Sequence, residues 1–118
     1  MKLVIAGSRS FKDYEFLKET MTAMKDITEV ISGGAIGADK LGEKWAKESK
    51  IPLRKMAADW DMYGKRAGFI RNNEMGMYCD EAIIFWDGTS KGSKNMIDVM
   101  KRFNKPYKVV LFTKKVDE

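Results

Sequence analysis

At 118 residues, with a formal net charge of +5, 44% hydrophobic and 33% charged side chains, the chain has the balance of one soluble globular domain spanning 1–118. It holds no histidine, which excludes a Ser-His-Asp or Cys-His relay, a histidine-ligated zinc and an imidazole general base. The lone Cys79 excludes an internal disulfide, a CxxC pair and a zinc ribbon, and reads as a small buried apolar residue in a reducing cytoplasm.

The apolar pattern alternates short β-rich runs with helical stripes. Residues 2–6 (KLVIA) predict a first strand, ended by Gly7. Tyr14, Leu17, Met21 and Met24 share one helical face behind Asp13 as N-cap. Residues 29–32 (EVIS) predict a second strand, stopped by Gly33-Gly34. Ala38, Leu41, Gly42, Trp45, Ala46 and Ser49 then form one stripe of a second helix. Gly42 costs helix stability there, and a close approach to the sheet would explain it. Trp45 reads as core.

Pro52 opens a weaker third strand that runs to Met56. Residues 57–68 predict a loop or a short turn of helix, and 67–79 a helix. Residues 82–86 (AIIFW) are the clearest buried strand. Met96, Val99, Met100 and Phe103 predict a helix over 95–103, and 108–112 (KVVLF) the last strand. A polar tail from Lys114 is expected to fray. Strands alternating with helices predict an α/β fold: a Rossmann-like three-layer sandwich with a five-stranded parallel sheet in the order 3-2-1-4-5.

In such a sheet, ligands bind beyond the carboxyl ends of the strands, where the order reverses between strands 1 and 4. Three loops meet that edge. They are Gly7-Ser8-Arg9-Ser10, then Ser32-Gly33-Gly34-Ala35-Ile36-Gly37-Ala38-Asp39, then Asp87-Gly88-Thr89-Ser90-Lys91-Gly92-Ser93-Lys94-Asn95. Glycine lets backbone N–H groups approach an anion, and hydroxyls, amides and guanidinium add directional bonds. One such loop is ordinary turn chemistry. Three at one edge point to a phosphate-bearing ligand cradled by loop amides. None of them is GxGxxG or GxxxxGK[ST], so the standard dinucleotide fingerprint and the P-loop are missing.

Arg9 and Arg71 are the candidates for phosphate. Asp39 reads as a helix-end carboxylate or a ribose ligand or base, and Asp87 as a turn cap or a ligand contact. Trp86 could stack on a base and Trp60 act as a lid, with core packing as the alternative for each. The methionines read as helix-face filler.

Taken together, Ala6-Gly7-Ser8-Arg9, Ser32-Gly33-Gly34 with Gly37-Ala38-Asp39, Tyr63-Gly64-Lys65, Ile70-Arg71-Asn72, and Trp86-Asp87-Gly88 with Ser90-Lys91-Gly92 and Asn95 resemble the YspA-like branch of the SLOG superfamily. The resemblance runs in order over nearly the whole chain. Its relatives include the Lonely Guy phosphoribohydrolases, DprA and molybdenum-cofactor carriers. It implies a Rossmann-like fold that binds a nucleotide or nucleotide-derived ligand, with Tyr63 and Lys65 near it, as found in small bacterial and phage proteins. Two positions depart from the pattern: Ile36 stands where a basic residue is expected and Phe69 where proline is common. Lonely Guy enzymes carry a glutamate where this chain reads Gly92-Ser93-Lys94-Asn95-Met96-Ile97. Hydrolysis of an N-glycoside would therefore fall to Asp39, Glu43 or Asp87.

The leading expectation is a cytoplasmic nucleotide-derivative binder, acting as sensor, carrier or sequestering protein, with no metal or other cofactor required. Its ligand-binding set is Gly7, Ser8, Arg9, Gly33, Gly34, Gly37, Ala38, Asp39, Arg71, Asn72, Trp86, Asp87, Gly88, Ser90, Gly92, Ser93 and Asn95. The alternative is a nucleoside-monophosphate N-glycosidase. Single-stranded DNA binding, as in DprA, ranks last because the basic residues are scattered. A homo-oligomer is expected, and the apolar run 1–7 is too short for a signal peptide or a membrane span.

Overall fold

The computed structural model describes residues 1–113. Five strands, β1 (Lys2–Gly7), β2 (Glu29–Ser32), β3 (Leu53–Lys55), β4 (Glu81–Trp86) and β5 (Tyr107–Leu111), form one parallel sheet in the order β3-β2-β1-β4-β5. Helices α1 (Tyr14–Met21), α2 (Ala38–Glu48), α3 (Trp60–Tyr63), α4 (Ala67–Tyr78) and α5 (Lys91–Arg102) connect them, with a 3-10 turn at Gly64–Arg66. The predicted Rossmann-like sheet order is the observed one.

Alternate residues of each strand point to opposite faces, which divides the core in two. Val4, Ala6, Ile31, Ala82 and Ile84 pack under α4 and α5 with Met75, Met96, Val99 and Met100. Leu3, Ile5, Val30, Ile83 and Phe85 pack on the other face with Leu17, Met21, Ala38 and Ala46 of α1 and α2. Trp45 is partly buried against this second cluster. Cys79 is buried at the end of α4, where burial pushes its thiol pKa up.

Several boundaries differ from the sequence pattern for identifiable reasons. The first helix ends at Met21 rather than running to Met24, because the Thr22 amide is shared between the Lys18 and Glu19 carbonyls, its hydroxyl also donates to Glu19, and the Ala23 and Met24 amides bond three residues back. Met24 still packs on the core from the turn that follows. α5 begins at Lys91, four residues before the predicted start at Asn95, because its first turn faces the sheet edge rather than the core. Within 57–68, Asp59 accepts a bond from the Met62 amide at 3.0 Å and so caps the short α3. The tail from Lys114 lies outside the described residues. Among those residues, no helix is long and apolar enough to cross a membrane.

Gly42 has the close approach its place in the stripe implied: a Cβ there would lie 2.7 Å from Ile5 Cγ2. In an exposed helix, glycine to alanine gains about 1 kcal/mol. Here overpacking against β1 prevails, and Gly42→Ala is expected to lower unfolding free energy by about 1–3 kcal/mol in denaturant melts.

Candidate functional site

The parallel pairing of β1 with β4 brings Gly7 opposite Phe85, so the loops after these strands leave side by side. A Cβ at Gly7 would overlap the Phe85 carbonyl oxygen. Only glycine allows this approach, and it delivers Ser8 into the seam. The Ser8 amide donates to Phe85 O at 2.8 Å, and the Ser8 carbonyl accepts from Ala38 N at 3.3 Å. Its buried hydroxyl meets Ser90 Oγ at 2.8 Å and accepts from the Asp87 amide at 3.1 Å. Ser90 Oγ in turn donates to Ser93 Oγ at 2.8 Å. Gly37 completes the junction, since at φ +85° a Cβ would lie 2.5 Å from Ser8 O. The three loops therefore converge.

They wall a cavity of about 450 Å³, within the range of small-molecule sites. Gly7, Ser8, Arg9, Asp39, Arg71 and Asn72 line one part of it, and Asp87, Ser90, Gly92 and Ser93 another. Ala6, Met75 and Met96 form an apolar floor, while Trp60, Lys65 and Phe69 stand at the mouth. Trp60 and Phe69 are 54% and 51% exposed, which leaves ring surface open at the mouth.

Two carboxylates in this cavity have opposite environments. Asp39, in the first turn of α2, is buried, and the loss of solvation pushes its carboxyl from 3.8 up to about 6. The Ala35 amide, 3.2 Å from Oδ2, and the Arg71 guanidinium oppose that rise. Asp87 instead accepts from the amides of Thr89 at 2.9 Å and Ser90 at 2.8 Å, and from the Thr89 hydroxyl. These bonds, led by that of the Thr89 amide, hold its carboxyl at about 2. Its other oxygen takes a bond from Ser10 Oγ at 3.4 Å.

Arg71 joins α4 to the loop after β2. Its Nη1 donates to Gly33 O at 2.6 Å and its Nε to Asn72 Oδ1 at 3.0 Å. Asn72 Nδ2 continues to Asn95 Oδ1 at 2.9 Å and Gly92 O at 3.3 Å. Burial lowers the Arg71 pKa, Asp39 raises it, and the neighbouring Arg9 guanidinium lowers it again. Among the described residues, neither arginine pairs with a carboxylate within 4.0 Å. Two guanidinium groups thus share one cavity wall, an arrangement suited to an anion.

Other candidates fall elsewhere. Glu43 is buried away from the cavity, accepting from Ser32 Oγ at 2.7 Å and pairing with Lys55 at 3.2 Å. Gly33, Gly34, Gly37 and Ala38 shape their loop without lining the cavity; a Cβ at Gly33 would overlap the Arg71 guanidinium. Trp86, Gly88 and Asn95 line a neighbouring cavity instead. Ile36 is exposed in a groove beside α1. Tyr63 is exposed and does not line the main cavity.

The three-loop amide cradle is narrower than the sequence suggests. Gly34 N is bonded to Ser32 Oγ, Ala35 N to Asp39, Ala38 N to Ser8 O, Asp87 N to Ser8 Oγ, and the Thr89 and Ser90 amides to Asp87 within their own turn. Helix α5, whose N-cap Ser90 makes no capping bond, supplies unpaired amides from its first turn. Side chains supply further donors. Met75 and Met96 were legible only as core, because a cavity floor has the same apolar spacing.

The Asp39 carboxyl binds its proton more tightly folded than unfolded, so its stabilising contribution is complete below about pH 4 and is lost as pH rises through about 6. Asp39→Asn is expected to melt like the parent at pH 4 and to be more stable above pH 7 by on the order of 3 kcal/mol. Denaturant titrations across that range, with carboxyl carbon NMR of Asp39, check both the sign and the midpoint.

A family model described as the YspA, cpYpsA-related SLOG family matches residues 1–63, which hold β1, β2 and their two loops. The gene 61 protein of Mycobacterium phage D29 is 31% identical over 104 residues, covering 80% of this chain and 83% of that protein. No solved structure matches. The family match covers over half of the chain and the phage relative extends the likeness through most of the remainder, and the chain belongs to the YspA, cpYpsA-related SLOG family.

Proposed function

We propose that the chain binds a nucleotide or nucleotide-derived molecule at the β1–β4 edge, as a sensor, carrier or sequestering protein. The observation that carries this reading is the pair of guanidinium groups, Arg9 and Arg71, on one cavity with the linked hydroxyls of Ser8, Ser90 and Ser93. Phosphate would lie against these donors, and the exposed rings of Trp60 and Phe69 would flank the sugar and base. Membership of the SLOG family supports the same class of ligand.

Native mass spectrometry of gently purified protein is expected to find a co-purified nucleotide-class mass. The same spectrum reads the self-association expected from the sequence, which a monomer alone rejects. Arg9 is exposed and its side chain makes no hydrogen bond or ion pair among the described residues, so Arg9→Ala is expected to keep the melting temperature. It should weaken nucleoside monophosphate binding about 10- to 100-fold by calorimetry, the worth of one charge-assisted bond.

A second reading is favoured by Asp39 alone. A buried carboxyl titrating near 6 on the cavity wall has the properties of an acid or base for N-glycoside hydrolysis. Glu43 and Asp87 are committed to other partners. Under this reading, single-turnover assays release free base from a nucleoside monophosphate, and Asp39→Asn abolishes release while binding persists. Absence of base release from the parent chain rejects it.

A further inference from the structure

Beside the main cavity lies a second, shallower and more open to solvent, of about 490 Å³. Phe69 and Lys91 belong to the walls of both. The second cavity has its own indole, Trp86, which is held in place by a bond from Nε1 to Ser90 O at 3.0 Å. That ring is half-buried, with part of its surface on the α4–α5 side of the core and part on the cavity. The second cavity also holds Lys94, paired with Asp98 at 2.7 Å. Passing from one cavity to the other, the walls present Trp60, then Phe69 with the Lys91 ammonium, then Trp86.

We propose that the two cavities form one two-lobed site, selective for a molecule with two aromatic heterocycles joined through phosphate, a dinucleotide-type ligand, over a mononucleotide. This rests on the reading of the main cavity as a nucleotide site. Each lobe alone has the volume of a small-ligand pocket, so a mononucleotide leaves one of them unfilled. Each has a flat aromatic face, and each base stacked on such a face is worth roughly 1–3 kcal/mol. Lys91, common to both walls, stands where the joining phosphate would cross. Phe69 is a half-exposed ring on the same divide, which gives a ligand spanning both lobes an apolar surface to cover. The missing GxGxxG motif does not oppose this. That motif seats a pyrophosphate in the turn after the first strand, whereas here the bridge would cross at Lys91, after β4.

The test compares ADP with diadenosine pyrophosphate, and GDP with diguanosine pyrophosphate, by calorimetry on the full chain. Each pair differs by the second nucleoside while keeping the diphosphate. The two-base molecule is expected to bind about tenfold tighter or more in at least one series. Trp86→Leu, which removes the flat face but keeps apolar volume, should bring that ratio below about threefold. Lys94→Glu, on the exposed side of α5, should do the same and serves if the first variant melts early. A ratio below about twofold in the parent chain, with the mononucleotides still binding, overturns the two-lobed site and leaves the nucleotide reading intact. A gain that survives both substitutions also overturns it. If neither member of either pair binds, the nucleotide reading itself falls and the two-lobed site with it.

Discussion

The site is organised around one buried serine. Every polar group of Ser8 serves a different neighbour: its amide holds β4, its carbonyl holds the start of α2, and its hydroxyl holds the loop that leads into α5. A side chain with fewer groups or more bulk would leave buried partners unsatisfied, which costs more than the bond itself contributes. Gly7 before it and Gly37 opposite it are the two positions where a Cβ would push this junction apart. The sheet edge is thus a built corner, and the cavity lies where the three loops hold one another open.

Electrostatics then differentiate the walls. Asp39 and Asp87 are the same residue type on the same cavity, yet burial drives one carboxyl up while a ring of amides drives the other down. Asp87 is therefore an ionised anchor for the turn before α5, and Asp39 is the carboxyl that changes charge near neutrality. Arg71, wedged between Gly33 and Asn72, spreads its positive charge along this wall and ties α4 to the loop after β2, while Asn72 ties it to the start of α5. The apolar floor from Met75 and Met96 strengthens these effects by keeping the local dielectric low.

Much of this was legible in the sequence because it depends on period and punctuation. KLVIA and AIIFW read as strands buried on both faces, and a sheet covered on both sides by crossover helices admits few strand orders. The loops rich in glycine and serine could be assigned to one edge from the order of elements alone. Periodicity was blind where a helix faces something other than the core. The first turn of α5 has no apolar stripe, so Ser93 and Lys94 read as loop residues although they are helical. Glu43 gave no sign that it lies under β2, bonded to Ser32 and Lys55, rather than on the cavity.

Local residue order determined the α/β class, the sheet order, the converging loops and, through its motifs, the family, because strands, helices and turns each leave a short-range pattern. Only tertiary structure decided which donors face the cavity and which bond one another. Four loop amides turned out to be bonded to Ser32, Asp39 and Asp87, so the arginines and the linked serines form the polar wall together with the free amides at the start of α5. It also decided that Asp39 and Asp87 carry different protonation behaviour, and that Trp86 belongs to a neighbouring cavity. Hydrogen-bond satisfaction and burial depend on residues far apart in the chain, and no local pattern encodes them.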